Sequence, residues 1–219
     1  MLLIPVKDQR NAKQRLAAVL SPEERFALAQ AMLEDVLAAV AAVAPRPPVA
    51  LVTSDASALE LARGYGFGVI EDCENAGETA AIAMATRVAI ERGAEWSLVV
   101  PGDAPLVTAA EIDTILNAAP GAGSVLVPDH KGRGSNAVLR RPADLFPLRF
   151  GDDSFAPHRA AAEASGRPCV VLQLPGIALD VDRPADLALL ALSDSTTRSR
   201  RLVGSWRVAE RIRTVTASS

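Results

Sequence analysis

Three aspartates stand where apolar runs end, and their spacing suits one cation. In Leu98-Val99-Val100-Pro101-Gly102-Asp103-Ala104-Pro105-Leu106 an apolar run delivers Asp103 to the carboxyl end of a strand, between two prolines that fix the turn. A carboxylate held rigidly there suits a hard divalent cation, with magnesium or manganese bridging to substrate phosphates. Asp103 would serve equally as a turn former or a cap. Leu179-Asp180-Val181-Asp182 sets two carboxylates at i and i+2 of an extended segment, where they point the same way. The alternative makes Asp182 a cap for the helix starting at Pro184 and leaves Asp180 on the surface. Convergence with Asp103 favours the cation site.

Positive charge and oxyanion donors supply the other half of such chemistry. Lys7, Arg10, Lys13 and Arg15 follow the first apolar run in Pro5-Val6-Lys7 and Ala12-Lys13-Gln14-Arg15-Leu16. A loop after a first strand lies at the carboxyl edge of the sheet, where open α/β folds bind ligands, and its charges suit a triphosphate. A solvated basic loop has the same composition. No glycine-rich cradle is present, so neither a Walker loop nor a dinucleotide fingerprint applies. Gly132-Arg133-Gly134-Ser135-Asn136 and Phe150-Gly151-Asp152-Asp153-Ser154-Phe155-Ala156-Pro157-His158 are the second pair of interest. Their glycines let backbone N–H groups approach an oxyanion, and Ser135 and Ser154 add hydroxyl donors. Ser154 also precedes a helix, whose N-terminus attracts phosphate. Two surface turns and an N-cap are the plain alternative, and Asn136 either reads a ligand or closes its turn. His158 reads as a satisfied structural histidine rather than a base, and His130 as an exposed loop residue. Cys73 and Cys169 read as packing residues, since no His-plus-acid set accompanies either for thiol chemistry.

These residues need a scaffold of strand ends, and the pattern provides one. Short apolar runs alternate with helical stretches, the signature of βαβ units and a mostly parallel sheet flanked by helices. Strands are expected at Leu2–Val6, Val49–Thr53, Gly68–Glu71, Ser97–Val100, Ser124–Pro128, Asn136–Arg140 and Cys169–Leu174. Ser21-Pro22-Glu23-Glu24 combines an N-cap, a proline at the first helical position and a glutamate at N3. The helix it opens carries Leu28, Met32, Val36 and Val40 on one face and should run to about Val43. Further helices are expected at Ala56–Arg63, Glu78–Arg92, from the Thr108-x-x-Glu111 box to about Ala118, partly over Ser154–Ser165, and at Arg183–Leu192.

The whole chain of 219 residues suits one α/β domain, residues 1–192, with a short appendage, 193–219. Hydrophobic residues make up 49% but aromatics only 4%, which favours close helix-on-sheet packing. The net charge of −3 gives no electrostatic footprint for nucleic acid. Charge is uneven: six of the 23 bases but only two of the 26 acids lie from Ser193 onward. That basic tail reads either as disordered or as a loosely docked helix around Trp206–Ile212. The start, MLLIPVK, reaches a charge too soon for a signal peptide. No apolar stretch approaches the ~18 residues of a membrane span. Two distant cysteines fit a reducing, cytoplasmic compartment, and a homodimer is one assembly open to the chain.

Taken in order, the motifs resemble the 2-phospho-L-lactate guanylyltransferase family, which includes phosphoenolpyruvate and 3-phosphoglycerate guanylyltransferases. The resemblance runs from about Leu2 to Leu192. It is carried by the Pro-Val-Lys start, the Ala-Lys-x-Arg-Leu run, Leu20-Ser21-Pro22-Glu23-Glu24-Arg25 and Pro101-Gly102-Asp103-Ala104-Pro105-Leu106. Gly134-Ser135-Asn136-Ala137, Phe150-Gly151-x-x-Ser154-Phe155-x-x-His158 and Asp180-Val181-Asp182 complete it. It implies a Rossmann-like nucleotidyltransferase fold and a role in making the deazaflavin carrier coenzyme factor 420. By resemblance, Asp103, Asp180 and Asp182 would hold the metal ions and carry catalysis. Ser135, Gly151 and Ser154 would hold the phosphorylated acid, and Lys7, Lys13 and Arg15 the GTP phosphates. The chain differs from its relatives at Gly77-Glu78-Thr79, where Gly-Leu-Asn is usual, and at Ser135, where threonine is usual. Cytidylyl- and molybdopterin-guanylyltransferases, or a nucleotide-binding domain without turnover, remain alternatives for the same motifs. The tail after Leu192 lies outside the resemblance and is expected to be dispensable for catalysis.

Overall fold

In strand β1 (Leu2–Pro5) every position is apolar, and the structure shows why no polar alternation is needed. Leu2 and Ile4 pack on one side of the sheet with Leu33, Val36, Leu37 and Val40. Leu3 packs on the other side with Ile82 and Ala85. A strand covered on both faces must be apolar at successive residues. β6 (Ser135–Arg141) repeats the rule, with Ala137 and Leu139 on the first side and Val138 on the second.

The computed structural model describes residues 1–74 and 76–217. The remaining strands are β2 (Val49–Val52), β3 (Gly68–Ile70), β4 (Ser97–Val99), β5 (Gly123–Pro128) and β7 (Cys169–Val171). They form one sheet in the order β3-β2-β1-β4-β6-β5-β7. β6 pairs antiparallel with both β4 and β5, and the other pairings are parallel. The chain moves outward from β1 through β2 to β3, then returns to place β4 on the opposite side of β1. That reversal opens a crevice beyond the carboxyl ends of β1 and β4, the usual ligand position of open α/β sheets.

Helices α1 (Pro22–Ala41), α2 (Ala56–Tyr65) and α4 (Ala109–Ala118) cover one face, while α3 (Glu78–Glu91) and α5 (Phe155–Ala164) cover the other. Ser21 and Thr108 open α1 and α4 with reciprocal capping boxes to Glu24 and Glu111. α6 (Pro175–Ala178) is a single turn before the Asp180–Asp182 segment, and α7 (Pro184–Leu192) follows it.

After Ser193 the chain forms α8 (Arg198–Ser205) and α9 (Val208–Ala217). Asp35 of α1 accepts the backbone N–H groups of Arg198 and Ser199, at 2.8 and 2.9 Å, and the Ser199 hydroxyl at 2.6 Å. A carboxylate from a neighbouring helix thus meets the free amides at the start of α8. Arg211 reaches both oxygens of Glu24 at 2.8–2.9 Å. Val203 and Val208 are buried with Leu16, Leu20, Leu28, Met32, Val181, Leu187 and Leu190. This cluster supports both the loop after β1 and the Asp180–Asp182 segment. Among the described residues no helix is long and apolar enough to cross a membrane.

Candidate active site

The loop after β1 turns through two short 3₁₀ turns, Gln9–Asn11 and Gln14–Leu16. Asp55, the cap of α2, accepts the Gln9 backbone N–H at 3.0 Å and holds this loop against the sheet edge. Between the turns Lys13 takes a left-handed backbone conformation, φ 57° and ψ 36°. That region is uncommon for a residue with a side chain, and it is tolerated where surrounding contacts enforce it. The turn sends the Lys13 side chain to two carboxylates. Lys13 Nζ donates to Asp103 Oδ2 at 2.5 Å and to Asp182 Oδ1 at 2.7 Å, and its side chain is only 6% exposed.

Burial alone would lower the Lys13 pKa, but the Asp103 and Asp182 carboxylates outweigh it and raise the pKa well above the ordinary lysine value. Burial likewise pushes Asp182 upward, and Lys13 and Arg15 more than offset it, so this carboxyl lies below its usual range. Asp180 differs: burial dominates and raises it, while Asn136 Nδ2 donates to its Oδ1 at 3.0 Å. A backbone bond from Val181 N–H to Asp103 O, 3.2 Å, ties the two acidic segments together.

Asp103 and Asp182 therefore already share one cation, and both contacts are through oxygen. That donor set fits magnesium or manganese, which are held by few carboxylates with phosphate and water oxygens completing the shell. Among the described residues no group of three or more His, Cys, Asp or Glu side chains is spaced to hold a metal without rearrangement. The position between the carboxylates is filled by the Lys13 ammonium.

Two cavities meet at this centre. One, about 420 Å³, is lined by the loop after β1, by Ala29 and Met32 of α1, and by Gly77, Glu78 and Ala81 at the start of α3. The other, about 580 Å³, is lined by Lys131, Ser135, Gly151, Ser154 and Asp180. Lys7, Arg15, Glu78, Pro101, Asp103 and Asp182 line both, so the two form one cleft. Arg15 lies 3.9 Å from Asp182 and 3.8 Å from Asp152. Lys7 lies 3.7 Å from Glu78, whose carboxyl is raised by desolvation against that lysine's pull. Arg10 does not line either cavity.

In the second cavity the Ser135 backbone N–H donates to Ser154 Oγ at 3.0 Å. Ser154 occupies the cap position of α5 without capping it, and its Oγ accepts the Ser135 N–H instead of an amide of the helix. Gly151 has φ +133°, a conformation that side chains rarely adopt, and bends the chain along the cavity wall. Asn136 does not close a local turn: from within β6 its Nδ2 donates to Ile177 O, Ala178 O and Asp180 Oδ1, tying the strand to the end of α6 and the acidic segment.

The structure brings Lys7, Lys13, Arg15, Asp103, Asp180, Asp182, Ser135, Gly151 and Ser154 to one cleft. His158 is the buried, satisfied histidine expected, but its partners and the contacts of two other residues escaped sequence reasoning. Asp186, 1% exposed, accepts the Arg183 N–H at 2.9 Å and the Lys131 Nζ at 2.7 Å, so it caps α7 and holds Lys131 at the second cavity. Its place three residues after Arg183 was the available signal. Thr79 Oγ1 accepts the Phe150 N–H at 3.0 Å, anchoring the turn that carries Gly151. His158 bonds Ser135 across 23 residues of sequence, a pairing with no local signal.

The family model described as "Guanylyl transferase CofC like" matches residues 1–216. The match includes α8 and most of α9, which corrects the expectation that the family pattern stops at Leu192. A phosphoenolpyruvate guanylyltransferase from Sphaerobacter thermophilus is 38% identical over 190 residues, covering 86% of this chain and 91% of the relative. A 3-phospho-D-glycerate guanylyltransferase from Colwellia psychrerythraea is 31% identical over 202 residues, covering 89% and 92%. A solved structure of a putative nucleotide-diphospho-sugar transferase from Desulfovibrio desulfuricans superposes with a TM-score of 0.78 at 18% identity, covering 97% of this chain and 96% of that one. A 4-diphosphocytidyl-2C-methyl-D-erythritol synthase structure gives 0.60 at 14%, covering 87% and 96%. These two likenesses concern the nucleotidyltransferase fold. With nearly its whole length matched, the chain belongs to the CofC-like guanylyl transferase family.

Proposed function

We propose that this chain condenses GTP with a small phosphorylated acid, releasing pyrophosphate, as a step in making coenzyme factor 420. Phosphoenolpyruvate, 2-phospho-L-lactate and 3-phospho-D-glycerate are the candidate acceptors, each a small acid with one phosphate. The observation that carries the proposal is the meeting of two cavities at one acid–lysine centre, in a chain of this family. A two-substrate transfer needs two compartments with the reacting atoms at their seam.

GTP would occupy the cavity lined by the loop after β1, with Lys7, Lys13 and Arg15 at its phosphates. The acceptor would occupy the other, with Ser135, Gly151 and Ser154 around its phosphate. An acceptor phosphate oxygen attacks the α-phosphorus; a new P–O bond forms, and the bond from the α-phosphorus to the bridging oxygen breaks. Pyrophosphate carries away the electron pair. The acceptor phosphate is already ionised at neutral pH, so no enzyme base or covalent intermediate is required. The chain's task is to align two polyanions and offset their repulsion. Asp103, Asp182 and Asp180 would hold magnesium or manganese, which when bound neutralises phosphate charge and polarises the α-phosphoryl group. Lys13 then turns from the carboxylates to the phosphates. The unpaired Cys73 and Cys169 support a reducing, cytoplasmic setting.

The test is pyrophosphate release by the purified chain with GTP and each acid in turn. Release that needs both substrates and a divalent cation supports the proposal, and release from GTP alone contradicts it.

A further inference from the structure

His158 is 1% exposed and lies on the first turn of α5, beneath the second cavity. Its two ring nitrogens have different partners. The Arg149 backbone N–H donates to Nε2 at 2.9 Å, so Nε2 carries the lone pair. The proton of the neutral ring must then sit on Nδ1, which lies 2.9 Å from Ser135 Oγ. The direction of that bond follows: Nδ1–H donates and Ser135 Oγ accepts.

We propose that His158 is a positioning residue for the acceptor phosphate: by donating to Ser135 Oγ it turns the Ser135 hydroxyl proton outward, as a donor to an oxyanion in the second cavity. Ser154 receives parallel treatment, since its Oγ accepts the Ser135 N–H and its own proton is left to donate. Both hydroxyls are thereby fixed as donors, and ionised phosphate offers only acceptors. A bond accepted by a hydroxyl also strengthens the bond it gives. Burial, and secondarily Arg140, lowers the His158 pKa to about 4, so the ring stays neutral at physiological pH and this directionality persists. The edge of the His158 ring against Phe150, centroids 5.2 Å apart, fixes the imidazole plane.

This inference rests on the proposed acceptor site, and two substitutions separate its parts. In His158→Gln the amide oxygen can still accept the Arg149 N–H, but the donor to Ser135 is lost. In His158→Asn an N–H stays near the Nδ1 position, and the Arg149 contact is lost. Michaelis constants for GTP and for whichever of the three acids the wild type uses would be measured for both, for Ser135→Ala and for Ser135→Ala/His158→Gln. His158→Gln should raise the acceptor constant about three- to tenfold, with little change for GTP. His158→Asn should raise it less. In the Ser135→Ala background His158→Gln should add nothing further, because the two act through one hydroxyl. Additive effects in the double variant, or equal shifts for GTP and acceptor, would overturn the proposal. If His158→Gln does not fold, His158→Asn decides: an acceptor constant as high as that of Ser135→Ala overturns it. A wild-type enzyme that uses none of the three acids refutes the functional reading itself, and this inference with it.

Discussion

The two sides of the cleft hold their ligands-to-be in opposite ways. At the acid–lysine centre the basic side chains are paired with carboxylates: Lys13 with Asp103 and Asp182, Arg15 with Asp152 and Asp182, Lys7 with Glu78. Under the proposed function these pairs would exchange partners on binding of a cation and phosphates. In the second cavity the Ser135 and Ser154 hydroxyls are oriented by buried, uncharged bonds that need no exchange. On that proposal the centre would rearrange around highly charged groups, while the proposed acceptor wall would recognise its ligand pre-organised.

The sharpest way to break the comparison is to remove charge at the centre. Asp103→Asn and Asp182→Asn should each lower kcat by about 100-fold or more while the protein stays folded, since they remove charge aimed at the reacting phosphates. Asp180→Asn should also cost turnover, though less, because Asn136 already occupies part of that carboxylate. Near-normal rates at saturating magnesium in all three would remove the metal assignment.

On the acceptor wall, Ser135→Ala or Ser154→Ala should leave the centre alone and weaken one substrate. A hydrogen bond to a charged group contributes about 1.5–3 kcal/mol, or roughly ten- to hundredfold in the acceptor's Michaelis constant. Steady-state kinetics should show a far smaller change for GTP. Lys13→Met reverses the logic. Two carboxylates freed of their ammonium should bind magnesium about tenfold more tightly in the substrate-free protein, measured by calorimetry. Turnover should fall, because the phosphates lose a cation.

The smallest effects concern stability. The His158 pKa is lowered from 6.5 to about 4 on folding, so between these values the unfolded chain binds more protons. Stability from this residue is present above pH 6.5 and is lost as pH falls towards 4. Denaturant melts over that window should flatten in His158→Gln. Truncation after Leu192 removes Val203 and Val208 from the cluster beneath the loop after β1 and the Asp180–Asp182 segment and should lower the melting temperature.

Much of the scaffold was legible because local rules and tertiary structure agree. The Ser21 and Thr108 boxes start α1 and α4 where expected, and doubly covered strands read as unbroken apolar runs. Asp103 and Asp180–Asp182 stood out because carboxylates after apolar runs are locally conspicuous. What was not legible depends on contacts between distant segments. The left-handed turn that aims Lys13 has no glycine to announce it. His158 looks like an ordinary core residue until Ser135 and Arg149 are brought to its two nitrogens. Of the tail, a docked helix around Trp206–Ile212 was one of two readings and overlaps α9, whereas α8, held by Asp35 and Val203, gave too sparse a signal amid arginines and serines.

The central claim is that two compartments feed one transfer at the Asp103–Lys13–Asp182 seam. Mass spectrometry of the product mixture tests it most directly, with GTP, magnesium and equimolar phosphoenolpyruvate, 2-phospho-L-lactate and 3-phospho-D-glycerate. The account predicts one guanylylated acid, formed in step with pyrophosphate and at a rate lowered about 100-fold or more by Asp103→Asn. A folded, GTP-binding protein that guanylylates none of the three would contradict it.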